Sequence, residues 1–215
     1  GIPSSVALAS CETFLPGVGV SPCRWECAGD RRRIAVVGGL QRAMSTLPAL
    51  LASTGVAFNS YGTNDTERGA ILAGIANHRP DMLLLLGDQV EDGDDAEDWD
   101  FFDQAMRPVR EANVQTWAVL GNHDYGSMRR RENRQPWRRH FLQRFPHQEI
   151  LPLTTIQLND YSLVVVDSNL STMTDAAIAK LALDFRVTLA ELDNSDNVAG
   201  VIVAMHHPPY TNGGF

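Results

Sequence analysis

Residues 83–93 read Leu-Leu-Leu-Leu-Gly-Asp-Gln-Val-Glu-Asp-Gly. Four consecutive leucines form an apolar run of strand length that ends at Gly87, and Asp88 follows at once. Such a run predicts a strand that is buried on both faces, in a sheet covered by helices. Gly87 allows the backbone to turn sharply. Asp88 is therefore expected at the carboxyl end of a strand, where open α/β sheets bind their ligands.

Two further apolar runs end in polar side chains in the same way. Residues 119–120 run into Gly-Asn-His-Asp at 121–124, and residues 201–205 run into two histidines. If the carboxyl ends of these strands share an edge, then Asp88, Asn122 and His206 lie near one another. Carboxylate, amide and imidazole groups are ligands of hard to borderline divalent metals. The sequence therefore predicts a metal site at this edge.

Alternating strand and helix patterns predict an α/β fold with a mixed sheet. The predicted strands cover residues 34–37, 83–86, 116–120 and 201–205, with a hairpin around Asn159 and Asp160. Helices are predicted at 46–51, from 64 to Pro80, along Trp99, Phe102, Met106 and Val109, and through 178–192. Residues 1–30 are predicted to be an extended amino-terminal segment with one candidate edge strand, and residues 31–215 the folded domain.

The composition is that of an ordinary globular protein. Hydrophobic residues make up 44% and charged residues 20% of 215 residues, which argues against disorder. The formal net charge of -8 disfavours non-specific binding to nucleic acids or anionic membranes. No apolar run in the sequence approaches transmembrane length.

All three cysteines lie near the amino end, at positions 11, 23 and 27. Residues 6–11 resemble the end of a bacterial lipoprotein signal, which makes Cys11 a candidate lipid anchor and implies an exported or cell-envelope protein. The alternative is a small-residue segment of a cytoplasmic protein. Cys23 and Cys27 could form a disulfide or remain thiols, and no catalytic or metal-binding role is expected for any of the three.

The three blocks at 87–93, 121–124 and 206–208 resemble signature blocks of the calcineurin-like metallophosphoesterases. The run from about Arg32 onward is also similar to the purple acid phosphatase branch of that superfamily. The resemblance implies a sandwich of two mixed β-sheets flanked by helices, with two metal ions (Fe, Mn or Zn) at one end. It further implies hydrolysis of a small phosphomonoester or phosphodiester substrate by a metal-activated hydroxide.

The resemblance also implies a role for individual residues. Asp88 would bridge the two metals, and Asn122 and His206 would bind the second one. His123 would hydrogen-bond the phosphate or protonate the leaving group, and Asp124 would orient His123. Glu91 stands where the purple enzymes have tyrosine, so a purple tyrosinate–iron centre is not expected.

Two departures from the family pattern bear on activity. The first family block carries Asp and then His, where this chain has Gly39 and Gln41. No Gly-His-x-His block follows position 208, so the domain is expected to be incomplete at the carboxyl end. Three interpretations stay open: residues are missing between Gly38 and Gly39, position 39 carries an Asp-to-Gly change, or the protein is degenerate. A degenerate member would be a non-catalytic phosphate- or protein-binding protein.

A basic segment follows the third strand directly. Between positions 125 and 139 it carries six arginines, at 129, 130, 131, 134, 138 and 139. These side chains could bind the phosphate of a substrate, or they could form a solvated loop. The sequence leaves both interpretations open.

Overall fold

The computed structural model describes residues 7–10, 34–38, 65–126 and 136–209. Within these ranges the strands are β1 (Ala7–Ser10), β2 (Ile34–Val37), β3 (Met82–Leu85), β4 (Gln115–Ala118), β5 (Leu153–Leu158), β6 (Tyr161–Val166) and β7 (Gly200–Met205). The helices are α1 (Asp65–His78), α2 (Ala96–Glu111), α3 (Pro136–Arg144) and α4 (Asp175–Asp193). Two 3₁₀ turns, at His123–Tyr125 and Leu170–Thr172, follow β4 and β6.

The strands form two sheets. The larger sheet has the order β1-β7-β6-β5, in which only the β5–β6 hairpin is antiparallel. The smaller sheet has the order β2-β3-β4, and all its pairs are parallel. Because β2, β3 and β4 run the same way, as do β6 and β7, each sheet gathers its carboxyl-end loops at one edge.

Strand β3 contributes to two separate cores. Leu83 and Leu85 pack with Trp99 and Phe102 of α2. Leu84 points the other way and packs with Leu163 of the larger sheet. On the outer face of the larger sheet, residues such as Val203 pack with apolar side chains of α4. The layers are therefore helices, small sheet, large sheet and helix, which explains the uninterrupted leucine run in β3.

The predicted fold class is confirmed: the protein is α/β, with two facing sheets flanked by helices. The larger sheet is mixed as expected, whereas the described part of the smaller sheet is parallel. The hairpin and the helices predicted near residues 65, 99 and 178 are present. Strand β1 extends the larger sheet from within the segment 1–30. The division into two regions remains a prediction.

Several predictions concern residues outside the described ranges. These are the helix at 46–51, Gly39 and Gln41, the three cysteines, and most of the basic segment, of which Arg138 and Arg139 lie on α3. Among the described residues, no helix combines the length and apolar character needed to span a membrane.

Candidate metal centre

The loop after β3 brings its backbone unusually close to two other loops. Gly87 and Asp88 both have positive φ, 90° and 51°. A Cβ atom at Gly87 would lie 2.5 Å from Nδ1 of His206 and 2.9 Å from the Cα of Gly121. Only glycine therefore fits at position 87. The reversed backbone directs Asp88 toward the loops after β4 and β7.

Asp124 fastens the loop after β3 to the loop after β4. Its side chain is fully buried and accepts hydrogen bonds from the backbone N–H groups of Asp88 (3.0 Å), Gln89 (2.8 Å), Val90 (3.4 Å) and Gly121 (2.8 Å). Burial raises the pKa of Asp124 to about 7, although the bond from Gly121 acts in the opposite direction. Both oxygens are thus engaged by backbone amides. Asp124 therefore holds the two loops together, and the expected role of Asp124 in orienting His123 remains a prediction.

Asp88, Asn122 and His206 converge at this edge. Nε2 of His206 lies 3.1 Å from Oδ1 of Asn122 and 3.4 Å from Oδ2 of Asp88. Two donors on one metal ion can be separated by at most about twice the ligand bond length, roughly 4–4.6 Å. The predicted convergence is therefore observed. Asp88 and His206 are buried, while Asn122 is exposed.

The orientation of His206 fits metal binding. Nδ1 lies 2.9 Å from the carbonyl oxygen of Leu86, which can only accept, so Nδ1 carries a proton and Nε2 is the free nitrogen. Nε2 faces two oxygen acceptors, and a positive charge is needed between these three atoms. Burial would lower the pKa of His206, but the hydrogen bond and charge of Asp88 outweigh it and raise the pKa. A metal ion would replace the proton on Nε2.

Burial and the contact with His206 also have opposite effects on the pKa of Asp88. Burial alone would raise its pKa, but the hydrogen bond and positive charge of His206 lower it. The carboxylate is therefore ionised. Among the described residues there is no group of three His, Cys, Asp or Glu side chains that could hold a metal ion. The cluster consists of two such residues and one amide, which provide three ligands for one cation.

His123 is oriented by Glu91. The backbone N–H of His123 donates to Oδ1 of Asp88 (3.1 Å), which places the ring beside the cluster. Its Nδ1 donates to the carbonyl oxygen of Glu91 at 2.8 Å and lies 3.5 Å from Oε1 of the same residue. In the sequence, Glu91 indicated only that a tyrosinate centre is absent from the expected site. Its place three residues after Asp88 carries no local signal for a contact with position 123.

A fourth loop, after β6, was not predicted as part of the site. Tyr125 donates a hydrogen bond to Oδ2 of Asp167, and Oδ1 of Asp167 accepts from the side-chain amide of Asn169 at 2.8 Å. That amide also donates to the carbonyl oxygen of Leu120 at 3.0 Å. This loop joins the larger sheet to the loop after β4. A signal was available, because a polar Asp-Ser-Asn triplet follows the apolar end of β6 just as Asp88 follows β3.

Comparisons with known proteins bear on the family to which the chain belongs. A solved structure of a purple acid phosphatase isolated from yellow lupin (Lupinus luteus) seeds is 13% identical, with a TM-score of 0.47 over 80% of this chain. The match covers 29% of that protein's chain, so this chain spans less than a third of its length. No curated protein matches. The family model of the calcineurin-like phosphoesterases matches residues 33–215, and the chain belongs to that family.

Proposed function

We propose that the protein is a metal-dependent phosphoesterase that hydrolyses phosphomonoesters or phosphodiesters. The observation that carries the proposal is the convergence of Asp88, Asn122 and Nε2 of His206 around a space that needs a positive charge. An ionised carboxylate, an amide oxygen and an imidazole suit Fe, Mn or Zn. Family membership supports a pair of ions, with Asp88 as the bridging ligand and Asn122 and His206 on the second ion.

Bound ions would supply Lewis acidity toward the phosphoryl group and an activated water as nucleophile. The chain's own residues then have defined tasks. Asp88 is held in place by the backbone N–H of His123, and its carboxylate is already ionised before metal binds. The Nδ1–H of His123 is held by Glu91, which leaves Nε2 of the ring for the substrate. Nε2 is therefore the ring nitrogen that can donate a hydrogen to the leaving oxygen, while the Glu91 carboxylate lies 3.5 Å from Nδ1.

The test is hydrolysis of p-nitrophenyl phosphate and bis(p-nitrophenyl) phosphate by protein that has been stripped with a chelator. We expect no turnover until Mn²⁺, Zn²⁺ or Fe²⁺ is added back, and recovery should follow the bound metal content. Turnover that survives complete removal of metal would contradict the proposal.

A second candidate function is favoured by Gly39, which stands where the family pattern has an aspartate. Loss of a carboxylate ligand would leave a non-catalytic member that binds phosphate or a protein. The same preparations distinguish the two functions. Binding of one metal ion and of inorganic phosphate, without turnover of either ester, would favour the second candidate.

We expect His123→Ala to separate metal binding from proton transfer. A positioned acid contributes on the order of 10²- to 10⁴-fold when the leaving group needs a proton. The variant should therefore lower turnover of an alkyl phosphate far more than that of p-nitrophenyl phosphate, whose leaving group departs unaided. Metal content, measured by atomic emission, should stay close to that of the wild type.

His78→Ala is a matched control, because His78 is exposed at the end of α1, which leads into the opposite end of β3. It should change neither substrate's turnover. Equal losses on both substrates would mean that His123 only stabilises the phosphoryl group. Loss of metal would mean that it is a ligand, and the assigned role would be wrong.

A further inference from the structure

His207 lies beside the proposed metal ligands and makes no contact with them through a hydrogen bond among the described residues. It follows His206 directly, and the two rings lie 4.6 Å apart at an angle of 76°. Unlike His206, His207 is exposed. Among the described residues, its Nε2 has no hydrogen-bond partner. One ring nitrogen close to the Asp88–His206 cluster is therefore left for a ligand.

The other ring nitrogen of His207 is held by Ser168, in the loop after β6. Oγ of Ser168 accepts from the backbone N–H of His207 at 2.9 Å and lies 3.1 Å from Nδ1 of the same residue. In the described part of the chain, the hydroxyl hydrogen has no other acceptor. If the O–H donates to Nδ1, both groups are satisfied by each other. Nδ1 then carries the lone pair, and Nε2 carries the proton.

We propose that Ser168 fixes His207 in the Nε2–H tautomer and that this N–H donates a hydrogen bond to a phosphoryl oxygen of the substrate. This rests on the proposed phosphoesterase function. Ser168 is the positioning residue, and His207 is the group that contacts the substrate. The two belong to loops that leave β6 and β7, which are parallel neighbours with carboxyl ends at the same edge.

The chemistry of this donor differs from that of a basic side chain. A neutral N–H with a fixed direction adds little general attraction for anions, but it complements an oxygen at one position. A hydrogen bond to a charged acceptor contributes enough to change binding about 10- to 100-fold. His207 therefore selects ligands that place an anionic oxygen beside the metal cluster, as phosphate esters do.

The experiment is a double-variant cycle with bis(p-nitrophenyl) phosphate and Mn²⁺. His207→Ala should lower kcat/KM about 10- to 100-fold, and Ser168→Ala should lower it less, because half or more of the rings can still present Nε2–H. The double variant should be no worse than His207→Ala alone. His207→Gln keeps an N–H donor and Ser168→Thr keeps the hydroxyl, so both should recover much of the loss. Ser171→Ala, an exposed serine close to Ser168 in sequence, is the control and should be unchanged.

A spectroscopic readout tests the tautomer without catalysis. Long-range ¹H–¹⁵N correlations of the Zn²⁺-loaded protein should show Nδ1 of His207 as the unprotonated nitrogen, and Ser168→Ala should give a mixture. A protonated Nδ1 in the wild type would overturn the inference, as would additive losses in the cycle or an unaffected His207→Ala.

The outcome can be separated from that of the proposed function. If the wild type turns over neither ester with any metal, the phosphoesterase proposal fails by itself. The inference is then judged by calorimetric binding of inorganic phosphate to the Zn²⁺-loaded protein. His207→Ala should weaken that binding about tenfold relative to Ser171→Ala. Unchanged binding would overturn it.

Discussion

Asp88→Asn should lower the turnover of p-nitrophenyl phosphate by on the order of 10³-fold, since a bound metal contributes several kcal/mol to transition-state stabilisation. Asp88 faces His206 and accepts a hydrogen bond from the backbone N–H of His123. Its negative charge therefore interacts with both neighbouring loops of the cluster. The backbone should be retained, because φ of Asp88 is 51° and asparagine tolerates this left-handed region. The loss should therefore appear in metal content and turnover more than in folding. Metal titration and steady-state kinetics measure it.

Asp160→Asn is the matched control for the loss of one carboxylate. Asp160 is exposed in the β5–β6 turn, at the opposite end of β6 from the loop that carries Asp167. It should leave both metal content and turnover unchanged. If Asp88→Asn bound metal and turned over substrate like this control, the metal centre would have to lie elsewhere.

Asp124→Ala should lower the free energy of unfolding by about 4 kcal/mol or more at pH 6. Four backbone N–H groups from two loops donate to this buried carboxylate. Each buried donor left without an acceptor costs about 1–3 kcal/mol, and the missing side chain also leaves a cavity. Urea unfolding followed by circular dichroism measures the change. Because burial raises the pKa of Asp124 to about 7, the folded wild type binds a proton that the unfolded chain has lost, so the difference between wild type and variant should shrink as pH rises through 7.

Asp98→Ala provides the comparison for this variant. Asp98 is only partly buried and accepts a single backbone hydrogen bond, from Asp92 at 2.9 Å. Its removal should cost about 1 kcal/mol. Similar losses for the two variants would show that the four contacts of Asp124 do not hold the loops together. Asp124 would then need another explanation for its complete burial.

These two predictions divide the site into a part that binds and a part that supports. Asp88, Asn122 and His206 face the proposed metal site, while Asp124 and the loop after β6 keep the backbones in place. In the loop after β6, burial and the negative charge of Asp167 raise the pKa of Tyr125, so the phenol stays protonated and continues to donate. Substitutions of the proposed ligands should change metal binding and turnover. Substitutions of the residues that hold the loops should first lower stability.

The sequence alone was sufficient to predict the fold class and to identify the three proposed ligands at strand ends. Each ligand follows an apolar run, and the period and length of such runs report strands directly. Strands β3 and β4 are parallel neighbours, so Asp88 and Asn122 leave the same edge of the smaller sheet, whereas His206 follows β7 of the larger sheet and reaches them only because the two sheets pack together. The hairpin at Asn159 and the start of α1 at Asp65 could also be predicted from nearby residues, because turn and cap residues act within a few positions.

Only the tertiary structure shows which polar groups form hydrogen bonds with one another. Asp124 is next to His123 in sequence, yet it bonds to amides 34–36 residues away, while His123 bonds to Glu91, 32 residues away. Ser168 and His207 are 39 residues apart. Period and spacing determine which face of an element is buried, but a hydrogen bond depends on the positions of two loops in space. Those positions follow from the packing of the two sheets, which local sequence patterns do not specify.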